Sequence, residues 1–573
     1  MAGYKYGIDE LLERIRNTVF HPERGYVELR KGFPEQKFLW NPDFHPTPLN
    51  LRTWGAFIYF AIWFGMAFEV ESWALVSIGY SFGLNWFWSI LAVFLGNAIV
   101  LIPMIIISHA GARFGLPETV ITRSRWGVYG SWLPVLIRGI IGAGWWGIDT
   151  WIIAESFSAM YLVSTGQTGL ILEQVEKGIA SPVTIATVIP ALFWTILVVT
   201  IVARLAILYV SPPKTGQRTL KLMGITVPFI SLLGFIILFA YVMPEAHWQW
   251  SSILQYPTQV SGSAFWFAFV GLLNANIAFW ATMALSMPDY TRFAKSQYSQ
   301  VFGQLSLPFI MIAIGALGLV VTGASIFIYK TPIWDPILLA SLAIPNPIIA
   351  DTAVFLMMLG VLVVNIYADT VGPAYDFANI YPRKLSWFAG AIIVTLIAAA
   401  LQSWSYYFNA VSYVENWLIT YGVVLGAVEG IIIFDYAVIR RFRLSLHDNY
   451  IPQGRFRYWK GINPAAFISF AITMILVFPP NYYGIPITQL YPGQAWVYQN
   501  GWVSSIIIAG IMYLILMRFW VMPRYQPEVI GDFKNGFNAP DEAYIFGVKD
   551  HPAYKIALEY IQQAQQQGKM TSD

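Results

Sequence analysis

The 573-residue chain is 57% hydrophobic and 11% charged, with a mean hydropathy of +0.57; soluble domains carry about 25% charged residues, so this surface is not solvated by water alone. The net charge of +3 and the absence of any basic stripe give no support to a nucleic-acid partner. The chain has no cysteine, which excludes disulfides, thiolate catalysis and cysteine-bound metals.

The first fifty residues carry charges throughout (Asp9, Glu10, Glu13, Arg14, Arg16) and no early apolar core, so they do not read as a signal peptide. Residues 8–20 are expected to form a short amphipathic helix. After them come twelve apolar runs, most near the roughly 20 residues a bilayer crossing needs. They lie near Leu51–Tyr80, Trp86–Ala110, Leu133–Val163, Val183–Leu205, Leu222–Val242 and Ala264–Met287, then Phe302–Tyr329, Ile349–Val371, Leu385–Leu401, Val411–Ile439, Ala465–Phe478 and Val503–Val521. They are called spans one to twelve below. The tail from Arg524 onward reads as soluble, with a helix expected near 554–567. The division expected is an N-terminal segment (1–50), a ten-helix core (51–440), a loop with two additional helices (441–522) and a tail (523–573).

Charge placement fits this count. The loops after even-numbered spans hold Arg113, Arg123 and Arg125, then Lys214, Arg218 and Lys221 with Arg204 at the edge, then Arg292 and Lys295, Arg383 and Lys384, and six Lys/Arg between Arg440 and Lys460. The odd loops hold little beyond Lys177 and Lys330. By the positive-inside rule this alternation predicts both termini in the cytoplasm. The chain is thus expected to be an all-α, multi-pass protein of the plasma membrane.

Two spans are unusual. Span one carries Glu69 and Glu71 at its middle, beside Gly65 and Ser72; span six carries Asn274, Asn276 and Thr282. An ionisable group at this depth costs several kcal/mol unless it faces protein or water. Polar, interrupted helices at matching places in two halves point to a transporter site. Since these spans are five apart, two five-helix repeats of opposite orientation followed by two extra helices are expected. Enzyme signatures are missing: the six histidines are dispersed, and there is neither a phosphate-binding GxxxxGK[ST] loop nor a Gly-x-Ser-x-Gly elbow.

Six stretches carry a more specific message: NPDFHPTPLNLRTW before span one, HAGARFGLPETVITRSRWGVYGSWLPVLIR between spans two and three, WWGIDTW in span three, FWATMALSMPDYTRFAKSQ at span six, NIYADTVGPAYDFANIYPRKLS at span eight, and FDYAVIRRFRLSLHDNY after span ten. In this order, over residues 41–450, the chain resembles the nucleobase–cation symporter-1 family, carriers of cytosine, uracil, purines, allantoin, hydantoins and thiamine. The resemblance implies the LeuT-type five-plus-five fold, alternating access, a small heterocyclic substrate and no cofactor. It also implies that two tryptophans hold the flat substrate; here they match Trp145 and Trp280. Each aromatic partner of a base contributes about 1–3 kcal/mol.

The residues that would grip the ring edge depart from the family pattern. A glutamine of span three is matched by Asp149 and an asparagine of span eight by Asp369. Each sits one turn after Trp145 and Asn365 respectively, on the same helix face. An amide donates and accepts, whereas an ionised carboxylate only accepts. Two carboxylates facing one pocket would favour an amine, amidine or cationic ring, unless one of them carries a proton or pairs with a buried donor such as Arg138. The implied sodium site is degenerate as well. Its backbone positions match Ala67 and Val70, and its span-eight ligands match Gly360, Val363 and Val364, none with a side-chain oxygen. Protons are therefore the expected coupling ion, with Glu69, Glu71, Asp149 and Asp369 as candidate carriers. Three readings stay open: a carrier of a nucleobase-like or hydantoin-like ring, a carrier of a cationic or amine solute such as a thiamine-like compound, and a receptor or membrane enzyme on the same scaffold.

Overall fold

The computed structural model describes residues 17–21, 26–29, 39, 44–210, 213–479 and 490–526. The helix expected at 554–567 and most of the N- and C-terminal segments lie outside these residues. Of the N-terminal helix expected over 8–20, the described end is extended instead. Strand β1, Thr18–His21, pairs antiparallel with strand β2, Tyr26–Leu29, matching Val19 to Glu28 and Phe20 to Val27. Val19 and Phe20 are β-formers, and the strand pair places Tyr26 and Val27 in the core, so packing overrides the helical pattern.

Eight helices among the described residues are long and apolar enough to cross a membrane, or nine counting one bent pair as a span. Two shorter apolar helices, Trp387–Leu401 and Pro464–Val477, and the polar-interrupted helix Trp132–Ser164 fall on the remaining expected spans. The bent pair is span one: Ala56–Ala67 and Val70–Tyr80 meet at 65°. The cause is local. Glu69 is extended, and its side chain accepts hydrogen bonds from the backbone N–H groups of Glu71 and Ser72 and from the Ser72 hydroxyl, capping the second half. A helix N-terminus needs such acceptors, and a carboxylate suits its positive end.

Span six, expected to be interrupted, is one continuous helix, Gly262–Thr291. Its asparagines face neighbouring helices: Asn274 donates to the Val270 carbonyl and to Asn500, while Asn276 donates to the Leu272 carbonyl and accepts from Asn97 of span two. Interhelical amide bonds engage the amide groups that looked like a break, leaving Asn274 Oδ1 buried without a partner. The second irregular helix is span eight, where a π-helical stretch, Asn365–Val371, joins Pro347–Val364 to Gly372–Ile380. Such wide turns concentrate at functional sites. Spans two and six pack closely: a Cβ added at Gly96 would meet the Leu273 carbonyl oxygen at 2.6 Å and Asn276 Cβ at 2.8 Å.

The described basic loops after spans two, six, eight and ten lie together. Arg125, after span two, pairs with Glu118 at 3.1 Å and with Asp435 at the end of span ten at 3.8 Å. Arg138 does not pair with either pocket acid. It bonds Asp376 at the end of span eight, and Asp289 at the end of span six at 3.1 Å. The ends of spans two, six, eight and ten therefore share one end of the bundle, as the charge alternation predicts for them.

Candidate substrate site at the break of span one

The break in span one, the middle of span three, span six and the π-helical turn of span eight converge on a cavity of about 30 Å³. Its walls include Trp145, Asp149, Trp280 and Asp369, together with Glu69 and Glu71. Residues from four separate spans, expected to meet, do meet. Asn365 stands behind this lining: it is fully buried, donates to the Trp146 carbonyl at 3.4 Å and contacts Asp149.

The aromatic wall is built edge to face. Trp145 packs against Phe279, Tyr413, Trp417 and Tyr421, with centroid distances of 5.1 to 6.3 Å. Trp280 packs at right angles on Trp63 at 5.2 Å and on Phe279 at 4.9 Å. Phe279 thus links the two tryptophans; adjacency to Trp280 was its only signal in the sequence. The indole nitrogen of Trp280 is buried without a hydrogen-bond partner, and that of Trp145 faces the Tyr421 hydroxyl. A space of about 30 Å³ suits a water molecule rather than a heterocycle, so a ring bound there needs these aromatics to part.

The acids differ in their surroundings. Glu69 is occupied as a helix cap, whereas both carboxyl oxygens of Glu71 are buried and unpartnered. Asp149 and Asp369 are in side-chain hydrogen-bonding contact with each other. Carboxyls this close in a buried site are held together by a shared proton or by a nearby cation. A cation, Arg204 of span four, lies in the neighbourhood without an ion pair to either aspartate; sequence reading left it at a loop edge. It is buried, lies 4.1 Å over the ring of Trp146, donates to the Thr150 hydroxyl and interacts electrostatically with both aspartates. A second carboxyl pair sits further along span three, where Glu155 faces Asp335, the N-cap of the loop helix Pro336–Ala343.

At the positions matching the sodium site, Gly360 lies against the turn of span one: a Cβ there would stand 3.2 Å from the Phe68 carbonyl oxygen. Val363 and Val364 offer no side-chain oxygen. The nearby hydroxyl comes from span five, where Ser231 Oγ donates to the Phe68 carbonyl at 3.5 Å. Among the described residues no cluster of three or more His, Cys, Asp or Glu is placed to hold a metal ion.

Comparison with known proteins agrees with this architecture. The family described as permease for cytosine/purines, uracil, thiamine and allantoin matches residues 46–503. The purine-uracil permease NCS1 of Arabidopsis thaliana is 30% identical over 492 residues, covering 85% of this chain and 79% of that protein. The allantoin permease of Bacillus subtilis is 28% identical over 504 residues, covering 86% and 96%. Among solved structures, the nucleobase-cation-symport-1 family transporter Mhp1 in a closed conformation with bromovinylhydantoin bound aligns with a TM-score of 0.67 at 19% identity, over 89% of this chain and all of that one. Its inward-facing conformation aligns with a TM-score of 0.68, also at 19% identity, over 91% of this chain and all of that one. The fold is therefore the LeuT-type five-plus-five inverted repeat with additional helices. The chain belongs to the nucleobase–cation symporter-1 family and is a multi-pass membrane permease, not an enzyme.

Proposed function

We propose that this permease is a secondary active carrier of an uncharged nucleobase-like heterocycle, coupled to protons rather than sodium and working by alternating access in the plasma membrane with both termini cytoplasmic. The observation that carries the reading is the meeting of Trp145, Trp280, Asp149 and Asp369 around one cavity at the break of span one. Indole rings supply sequence-tolerant stacking of about 1–3 kcal/mol each. The carboxyl oxygens accept from ring N–H groups, and a protonated carboxyl donates to a ring carbonyl. Curated relatives are named as purine-uracil and allantoin permeases, and one from Microbacterium maritypicum as a hydantoin permease. These names share a small heterocycle, and uracil, allantoin and hydantoin share ring N–H groups alternating with C=O groups.

Proton coupling is supported by two features. The span-eight positions that would ligate sodium are Gly360, Val363 and Val364, and the hydroxyl nearby is engaged with the Phe68 carbonyl. Four carboxyls, Glu69, Glu71, Asp149 and Asp369, line the same cavity. Loading a proton onto this cluster lowers its charge at the moment an uncharged ring displaces water, which lowers the cost of closing the site. Spans one, two, six and seven would then move against spans three, four, eight and nine. The carrier of a cationic solute is the second reading, and the two aspartates are what favour it.

The test is ligand-induced thermal stabilisation of the purified protein with uracil, hypoxanthine, allantoin, hydantoin and thiamine. Stabilisation by an uncharged ring, lost in Trp280→Ala, is expected. Stabilisation by thiamine alone would overturn the assignment.

A further inference from the structure

Ahead of its break, span one leaves an apolar groove against span seven. Ala56, Phe57 and Phe60 face Phe302, Leu305 and Phe309 around a volume of about 420 Å³, the size of a ligand cleft. The two helices touch at Gly303, where an added Cβ would stand 2.7 Å from the Ala56 carbonyl oxygen. Phe57, Phe302 and Phe309 are 62, 57 and 66% exposed. Both helices are apolar enough to cross a membrane, so hydrocarbon covers these rings. Charge stands at one end of the groove. The backbone N–H of Lys295 donates to the Trp54 carbonyl at 2.8 Å, and an isolated bridge joins Trp54 to Ala294. Lys295 is thereby fixed beside the entry to span one, two residues ahead of Ala56. Its side chain is exposed, and no described acid pairs with it. The neighbouring Arg292, by contrast, is engaged with the Thr47 hydroxyl and the His45 carbonyl.

We propose that this groove binds one anionic phospholipid from the leaflet on the basic-loop side, with an acyl chain between the phenylalanines of spans one and seven and the phosphate at Lys295. Burying a lipid tail against phenylalanine gains little over bulk lipid, because both surroundings are apolar. Preference must therefore come from fit and from charge, and a lysine at the membrane surface attracts anionic headgroups. A zwitterionic lipid of the same chain length fits the groove equally well, but its own ammonium opposes the attraction of Lys295. The groove shares no residue with the central cavity. It lies on the half of span one that runs into the Glu69 break, so a seated lipid holds that half against span seven. The site requires only that the chain crosses a membrane, and it stands whether the solute is an uncharged ring or a cation.

The experiment is native mass spectrometry of delipidated full-length protein mixed with equal amounts of phosphatidylglycerol and phosphatidylcholine carrying the same chains, read as the ratio of the two in the first lipid retained. The wild type is expected to retain phosphatidylglycerol several-fold over phosphatidylcholine. Lys295→Gln should lower that ratio by about fivefold, the effect of one lysine at a membrane surface, and Lys295→Arg should keep it. The double variant Phe302→Ala/Phe309→Ala, which removes exposed rings, should retain less of both lipids at an unchanged ratio. Lys384→Gln, at another exposed basic-loop lysine, serves as the control and should leave the ratio as in the wild type. Equal retention of the two lipids by the wild type overturns the proposal. So does a ratio unmoved by Lys295→Gln, an equal fall in Lys384→Gln, or undiminished retention in the phenylalanine variant.

Discussion

Trp280 touches the cavity on one side and Trp63 and Phe279 on the other. Trp280→Ala should weaken ring binding by about tenfold or more, the loss of one stacking partner, while the protein still folds; titration alongside an unfolding curve separates the two effects. Phe279→Ala should widen the cavity and admit rings with a bulkier substituent, read as a gain in affinity for a 5-substituted hydantoin over hydantoin itself. Asp369→Asn removes the proposed proton carrier from the hydrogen-bonded pair with Asp149. The pH profile of uptake should therefore change in that variant, and an identical profile would remove Asp369 from the coupling route. The tryptophans and acids were legible in the sequence because an ionisable group inside an apolar helix is conspicuous and because the motifs around them are distinctive. Arg204 and Ser231 were not. Each acts on a residue far along the chain, across a contact that helix periodicity does not encode.

At the scale of elements, the break in span one was readable from two acids beside glycine and serine, and the structure explains it through the Glu69 cap. Span six looked similar and is straight. Its asparagines were read as signs of irregular backbone, yet they bond helix to helix. Polarity in a span therefore has two outcomes, and only the neighbours decide. The π-helical turn of span eight left no signal, since Asn365–Val371 differs from an α-helix by one hydrogen-bond register. The seam between spans two and six depends on Gly96. Gly96→Ala should push these helices apart and cost about 1–3 kcal/mol, the usual penalty for overpacking. The check is the unfolding midpoint in detergent, and an unchanged midpoint would contradict the closeness of that seam.

For the whole molecule, the order of spans and the shared end of the basic loops followed from hydropathy and charge alone, because a bilayer permits few architectures. The tie between moving parts was hidden. Arg138 of span three holds Asp376 of span eight and, at 3.1 Å, Asp289 at the end of span six. Asp289→Ala should free the end of span six while leaving the Arg138–Asp376 pair. A cysteine introduced as Thr282→Cys in this cysteine-free chain should then label several-fold faster from the side of the even-numbered loops. The central claim joins all three scales: rings held between Trp145 and Trp280 move because carboxyls at the same cavity take up protons. It is tested most directly by uptake of a radiolabelled uncharged ring, the one that gives the strongest stabilisation, into sealed proteoliposomes under imposed gradients. An inward proton gradient without sodium should drive accumulation above the equilibrium level, and dissipating it should release the solute. Accumulation driven by a sodium gradient alone, with the proton gradient collapsed, would contradict the account.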